Sequence, residues 1–203
     1  MPPDPATFDR LAVPYDRGMA LLEWLWLRSL RARLLPHVRG RVLEIGIGTG
    51  ANLPFYPPSV CLMALDESAE MLVVAGRRAL ALGRCVYFSQ GNAERLAFPT
   101  GSFDTVVGSL VLCSVVNLGC ALEELRRVLR APGGRLLLLE HTRPRPGPLA
   151  WLADRANGPW YAFNGRCHLN RDTEGAVIEA GFQVLHVERR LGGLLRLMVA
   201  EAA

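Results

Sequence analysis

Apolar and polar positions along the chain alternate regularly between strand-like and helix-like patterns. Seven short runs are rich in leucine and β-branched residues, which is typical of strands. These runs are residues 41–45, 60–65, 85–89, 103–109, 135–139, 182–190 and 194–200. Between them, apolar side chains recur at helical spacing, which predicts helices at 68–82, 117–130 and 172–180. The last two runs join through a Gly-Gly link, which predicts an antiparallel hairpin.

The order of these elements predicts one α/β domain built on a Rossmann-like, doubly wound sheet. We expect seven strands, with one antiparallel strand near an edge and helices on both faces. The length of 203 residues suits a single domain spanning 1–203. Two segments fall outside the alternating pattern. Residues 1–40 are predicted to form an N-terminal helical cap, and residues 142–171 an insert after the fifth strand.

The composition excludes several kinds of chemistry. All 23 basic residues are arginine, which rules out a Schiff-base lysine, a lysine-bearing P-loop and a dehydrogenase with a tyrosine-lysine pair. The five cysteines include no Cys-x-x-Cys motif and the four histidines have no ligand spacing, so we expect neither a metal site nor a disulfide framework. The sequence has no recognisable signal peptide and no membrane-spanning stretch, which predicts a cytoplasmic protein.

The two segments outside the pattern share an unusual composition. Together they hold all four tryptophans, Trp24, Trp26, Trp151 and Trp160, and the excess of arginine over acidic residues. Amphipathic aromatics suit a pocket for an apolar acceptor, so we predict that both segments cover the carboxyl edge of the sheet as a lid. An apolar block at 21–27 followed by arginines also predicts peripheral contact with an anionic membrane. The net charge of +4 is too small to indicate nucleic acid, and the sequence does not specify an oligomeric state.

The strongest chemical signal is a glycine cluster at the end of the first strand. Its members stand at alternating positions: Gly46, Gly48 and Gly50. Glycines there let the backbone turn sharply and let a ligand approach, and the helix predicted to follow offers free N–H groups. With Ala51 the spacing satisfies a dinucleotide fingerprint, and Asp66 ends the second strand where a ribose-binding acid belongs. These features are common to nicotinamide and S-adenosylmethionine sites.

Two further observations separate these alternatives. Glu44 precedes the first glycine by two positions, close to where the cationic amino group of a methionine moiety would lie. Gly50 completes a Gly-x-Gly-x-Gly pattern, which suits an amino-acid tail better than a pyrophosphate. Both observations favour S-adenosylmethionine, and a nicotinamide-dependent oxidoreductase stays as the alternative.

Four stretches, in their order and spacing, resemble motifs of the class I S-adenosylmethionine-dependent methyltransferases. They are residues 44–50, 66–72, 91–104 and 129–134. Within this superfamily, residues 8–10 and 15–16 resemble the quinone-biosynthesis C-methyltransferases. A more detailed match is to the small methyltransferase-like thiol S-methyltransferases, and it covers residues 50–58, 110–115, 140–141 and 165–171.

The resemblance implies that the chain binds S-adenosylmethionine and its product S-adenosylhomocysteine, without a metal. Asp66 would accept hydrogen bonds from the ribose hydroxyls, and Met71 would pack on the adenine. Asn92, where the family usually has aspartate, and the Ala93 N–H would read the adenine edge. The full cofactor-binding set implied is Glu44, Gly46, Gly48, Gly50, Asp66, Glu67, Met71, Asn92, Ala93, Ser109 and Leu110.

Methyl transfer from a sulfonium depends on alignment more than on covalent help from the protein. A thiol acceptor, with a pKa of about 8.5, supplies some thiolate near neutral pH without a base. The candidates for catalytic assistance are His141, Glu140 and His168, since the first ends a strand at the carboxyl edge, where ligands bind.

We therefore predict an enzyme that transfers a methyl group to a small, apolar acceptor. A thiol is favoured over a quinol or a lipid head group. The alternatives are a nicotinamide-dependent oxidoreductase and a non-catalytic S-adenosylmethionine-binding protein at a membrane surface.

Overall fold

The structure is a computed structural model that describes residues 18, 20, 21, 23–164 and 167–202. The motif residues 8–10 and 15–16, together with Gly165 and Arg166, lie outside the described residues.

A seven-stranded sheet forms the centre of the molecule, with the order β3-β2-β1-β4-β5-β7-β6. The strands are β1 Val42–Ile45, β2 Leu62–Asp66, β3 Val86–Gln90, β4 Thr105–Ser109, β5 Arg135–His141, β6 Phe182–Arg190 and β7 Leu195–Ala202. Strands β1 to β5 are mutually parallel, and β7 runs antiparallel to both of its neighbours, β5 and β6. The predicted sheet, its antiparallel strand near one edge and the final hairpin are confirmed.

Helices cover both faces of this sheet, as predicted. They are α1 Arg28–Leu34, α2 Ala69–Ala81, α3 Leu118–Val128, α4 Pro148–Asn164 and α5 Thr173–Glu179. Three of them begin where a side chain caps the first free N–H groups. Ser68 accepts from Met71 N at 3.1 Å, Asn117 from Cys120 N at 3.1 Å, and Asp172 from Gly175 N at 3.2 Å.

The leucine run of β5 explains how two hydrophobic cores share one sheet. Leu136 and Leu138 pack with α3 and α5 on one face, while Leu137 and Leu139 pack with α1 and α2 on the other. All four leucines are fully buried. A strand covered on both faces is expected to be apolar, and residues 136–139 in the middle of β5 are all leucine.

Two local predictions differ from the structure. The prediction of a helix after the glycine cluster is wrong. Turns and a single 3-10 turn at Leu53–Phe55 follow the cluster instead. Pro54, Pro57 and Pro58 account for this, because proline lacks the N–H that a continuing helix needs.

The other difference is α4, which lies in the insert 142–171, where the sequence pattern predicts no helix. Pro148 is tolerated in its first turn because the N–H that proline lacks would have no helical partner there. Ala150 and Ala153 provide the buried contacts of this helix.

Candidate active site

A cavity of about 460 Å³ lies where the ends of β1, β2 and β4 meet. Its wall combines the loops after these strands with the N-terminal segment, which contributes Glu23, Trp24, Arg28 and Arg31. The carboxyl edge of a parallel sheet, near the point where strand order reverses, is the common place for a ligand in this type of fold.

The loop after β1 brings main chain into the cavity. Gly46, Gly48 and Gly50 have φ values of 60°, 55° and 81°, a region that side chains other than glycine rarely adopt. A Cβ at Gly50 would lie 2.7 Å from Leu53 Cδ1, whereas a Cβ at Gly48 would meet nothing within 4 Å. Gly46 and Gly48 line the cavity, and Gly50 is buried behind them.

Asp66, at the end of β2, faces the cavity with a carboxylate that the backbone holds in place. Its Oδ2 accepts a hydrogen bond from Gly48 N at 2.8 Å, and its Oδ1 accepts one from Ser68 N at 3.0 Å. Burial raises the pKa of this carboxyl, although both backbone bonds lower it. Each carboxylate oxygen can accept a second hydrogen bond, so the group retains capacity for two ligand hydroxyls.

Glu44 is 1% exposed, yet it contributes to the cavity wall. Asn52 Nδ2 donates to its Oε1 at 2.7 Å, and the Tyr56 hydroxyl donates to its Oε2 at 2.8 Å. Burial raises the pKa of Glu44 to about 7, and these two hydrogen bonds oppose that rise. The carboxyl is thus fixed in position and changes charge close to neutral pH.

The N-terminal segment is tied to this carboxyl through a chain of polar side chains. Arg31 donates to Asn52 Oδ1 and also pairs with Glu23 at 2.7 Å. Asn52 Nδ2 reaches Ser109 Oγ at 3.0 Å, which joins β4 to the same network. Sequence reasoning missed Arg31, Asn52 and Tyr56, although the latter two directly follow the glycine cluster.

Most of the predicted cofactor-binding residues come together in this cavity. The wall includes Glu44, Gly46, Gly48, Asp66, Glu67, Met71, Ala93, Ser109 and Leu110. Leu110 has a positive φ of 57°, and its N–H donates to Leu139 O at 2.8 Å, so the chain turns sharply after β4. Their contacts with a cofactor remain predictions.

Asn92 is placed differently from these residues. Its side chain is exposed and does not belong to the cavity wall, and its Oδ1 accepts a hydrogen bond from Glu94 N at 2.6 Å. Its neighbour Ala93 is buried and lines the cavity. The carboxamide thus orders the turn that presents Ala93, and a direct contact with adenine has no geometric support.

The three candidates for catalytic assistance lie behind the cavity wall. Glu140 is fully buried, and its carboxylate accepts hydrogen bonds from three backbone N–H groups. These belong to Val111 at 3.0 Å, Leu112 at 3.0 Å and Cys113 at 3.3 Å. Burial raises the pKa of Glu140 to about 7. The placement makes Glu140 a positioning residue for the loop after β4.

The two histidines contact other side chains outside the cavity wall. His141 Nδ1 lies 3.8 Å from Cys167 Sγ, and the His168 ring packs at 4.8 Å from the ring of Tyr161. Burial and the nearby charge of Arg171 lower the pKa of His168. Neither histidine lines the cavity, so the direct role predicted for them in methyl transfer lacks geometric support.

Within the described ranges, no group of three or more His, Cys, Asp or Glu side chains is arranged to hold a metal ion. In the same part of the chain, no helix is both long and apolar enough to cross a membrane.

Comparisons with known proteins point to one type of enzyme. Residues 43–138 match the family model of the methyltransferase domain. The chain is 32% identical over 185 residues to the thiol S-methyltransferase TMT1A of Homo sapiens, which covers 88% of this chain and 75% of that protein. It is 34% identical over 148 residues to a demethylmenaquinone methyltransferase of Clavibacter sepedonicus, which covers 71% of this chain and 60% of that one.

The fold has a similar counterpart among solved structures. The crystal structure of a SAM-dependent methyltransferase from Thermotoga maritima superposes with a TM-score of 0.73 at 21% identity. The superposition covers 97% of this chain and 99% of the other. This likeness shows the fold, and the sequence matches to methyltransferases support S-adenosylmethionine rather than a nicotinamide as the cofactor.

Proposed function

Since the chain belongs to the S-adenosylmethionine-dependent methyltransferases, we propose that it transfers the methyl group to the sulfur atom of a small, apolar thiol. The observation that carries the choice of acceptor is the set of titratable side chains on the cavity wall. Among the described residues, these are carboxylates and arginines, without histidine, cysteine or tyrosine. An acceptor that ionises by itself near neutral pH fits such a site, and a thiol does so.

The residues of the cavity fit the cofactor in their chemistry. Asp66 binds the ribose hydroxyls through its remaining acceptor positions, and the main chain at Gly46 and Gly48 follows the methionine part. Met71, which is 2% exposed, provides an apolar surface for the adenine. The cofactor, when bound, supplies a methyl group already activated on a sulfonium.

The acceptor occupies the part of the cavity that the N-terminal segment and the loop after β4 enclose. Trp24, Phe55 and Val115 provide apolar surface there, and Arg28 supplies a positive charge. A positive charge favours the thiolate form of the acceptor. The protein's part in the step is to align the sulfur with the methyl carbon and to exclude water.

A methyltransferase assay with labelled cofactor tests the choice of acceptor. The panel contains an aliphatic thiol, an aromatic thiol, a quinol and vesicles of phosphatidylethanolamine. We expect S-methyl products from the thiols, and Asp66→Ala serves as the matched inactive control. Methylation of the quinol or the lipid without a thiol product would contradict the proposal, while leaving the cofactor assignment intact.

An exposed apolar surface supports a second proposal, peripheral contact with an anionic membrane. Leu21, Trp24 and Leu25 are 65%, 75% and 45% exposed, and Arg28 lies three residues after Leu25. Apolar side chains beside arginines are typical of segments that lie in a lipid interface. Further exposed aromatic surface is present at Trp151, where Arg155 stacks 5.1 Å from the ring.

Flotation with vesicles tests this contact. Leu25→Asp should reduce binding to phosphatidylglycerol vesicles, because it places a negative charge in the interface. Leu185→Asp on β6, where the leucine is 48% exposed, is the matched control and should bind as the parent does. Equal binding of both variants would exclude the N-terminal segment as the contact.

A further inference from the structure

A second cluster of reactive side chains lies on the far side of the loop after β4, outside the cavity. Cys113 Sγ and Cys167 Sγ are 3.5 Å apart, and His141 Nδ1 is 3.8 Å from Cys167 Sγ. Cys113 is 1% exposed, whereas Cys167 is only partly buried. The proposed methyl transfer uses none of these three residues.

The two sulfur atoms differ in their ability to react. The side-chain hydrogen bond shared with Cys113, with help from His141 and Trp160, lowers the pKa of Cys167 to about 4. The same bond and burial raise the pKa of Cys113 well above its usual value. The pair therefore consists of an accessible thiolate and a protected thiol, the arrangement found where a dithiol exchanges with a disulfide.

We propose that Cys113 and Cys167 form a redox modification site that exchanges with small organic disulfides. In the first step Cys167 Sγ attacks one sulfur of the small disulfide, the S–S bond breaks, and one thiolate leaves and takes a proton from solvent. In the second step Cys113 gives up its proton and its Sγ attacks Cys167 Sγ. A protein disulfide forms and a second small thiol leaves, so two electrons pass from the protein to the small disulfide.

The position of the pair links its oxidation state to the cavity wall. Cys113 belongs to the loop after β4, whose residues Val111 and Val115 line the cavity. Cys167 follows α4 in the chain, and the neighbouring His168 N already donates to Cys113 O at 2.9 Å. A disulfide would add a covalent link between the wall and the insert to this backbone hydrogen bond.

The experiment starts from a parent chain carrying Cys61→Ser and Cys85→Ser. This change is needed because Cys61 and Cys85 contact each other at the start of β2 and β3. The purified parent is incubated with hydroxyethyl disulfide and mapped by mass spectrometry under non-reducing conditions. We expect a Cys113–Cys167 cross-linked peptide, loss of both thiols, and release of two molecules of mercaptoethanol for each chain. Cys120, exposed on α3, is the internal control for unselective reaction.

Single variants distinguish the two steps. With Cys113→Ser, a mixed disulfide should accumulate on Cys167, because the second step is lost. With Cys167→Ser, Cys113 should remain a thiol. The proposal is overturned if the parent carries adducts on Cys120 while Cys113 and Cys167 stay reduced. It is also overturned if a mixed disulfide on Cys167 persists in the parent without forming the cross-link.

Discussion

Glu44 and Glu140 occupy matching places in the fold, because each is the second-to-last residue of a parallel strand, in β1 and β5. Both are buried, and burial raises the pKa of each to about 7. Their partners differ. Side chains of Asn52 and Tyr56 hold Glu44, which reaches the cavity, while backbone N–H groups hold Glu140 behind the wall. Residue type and strand position are therefore insufficient to predict the role of a buried carboxyl.

The hydrogen-bond partners also predict how well each glutamate tolerates substitution. The Tyr56 hydroxyl can rotate and accept a hydrogen bond instead of donating one. The backbone N–H groups around Glu140 are fixed and can only donate a hydrogen bond. Neutral replacements should therefore destabilise the protein less at Glu44 than at Glu140.

The largest effect is expected for Glu140→Ala. The change leaves three backbone N–H groups near the cavity wall without an acceptor, so the free energy of unfolding should fall by about 3–5 kcal/mol. Chemical denaturation measures it. Glu94→Ala is the matched control, since Glu94 accepts a single N–H of the same loop, from Val116 at 2.7 Å. If Glu140→Ala lowers the free energy of unfolding no more than Glu94→Ala does, this result would contradict the proposed role of Glu140 in anchoring the loop.

The pH dependence of the free energy of unfolding should change when Glu44, the carboxyl held by side chains, is replaced. Burial raises the pKa of Glu44 from 4.5 to about 7, so its contribution to stability is fully present below pH 4.5 and is lost as the pH rises through about 7. Glu44→Gln should make the fall in unfolding free energy over this window shallower, by up to about 1.4 kcal/mol per pH unit. Denaturation at a series of pH values measures the slope, and an unchanged slope would argue against a raised pKa.

Asp66→Ala should separate ligand binding from folding. Removing a charged acceptor from the cavity should weaken S-adenosylmethionine binding by about 1.5–3 kcal/mol, measured by calorimetry. Glu70→Ala, exposed on α2 next to this site, should bind as the parent does. Tight binding of a nicotinamide dinucleotide, with none of the sulfonium, would refute the cofactor assignment.

The smallest effect is expected for Asn92→Asp. A carboxylate can accept the hydrogen bond from Glu94 N as the carboxamide does, so cofactor affinity should be kept. A tenfold loss, equivalent to about 1.4 kcal/mol, would show that Asn92 has another role. Calorimetry with the same ligand provides the comparison with Asp66→Ala.

The sheet could be predicted from the sequence because the apolar pattern that identifies each strand lies within the strand itself. The leucine run of β5 and the link at Gly192 indicate burial and a hairpin without knowledge of distant residues. The glycine cluster and Asp66 were equally local, since each directly follows a strand. Gly46, Gly48 and Asp66 accordingly line the cavity, while their contacts with a cofactor stay a prediction.

The rest of the site depends on contacts that no local pattern encodes. Whether Glu140 reaches a ligand depends on the turn at Leu110, which brings three N–H groups onto its carboxylate. The role of Arg31 depends on how α1 docks against the sheet. Similarly, α4 is stabilised by burial of Ala150 and Ala153, despite a sequence rich in glycine and proline.

The loop after β4 lies between the cavity and the cluster of Cys113, His141 and Cys167. Val111, Val115 and Val116 face the cavity, while Leu112 and Cys113 are buried behind it. The side chains that line the cavity are thus distinct from the side chains buried behind the loop, although the backbone N–H of Val111 also fixes the loop to Glu140. Acceptor preference can evolve by substitutions on one side of this partition while the anchoring side is inherited unchanged.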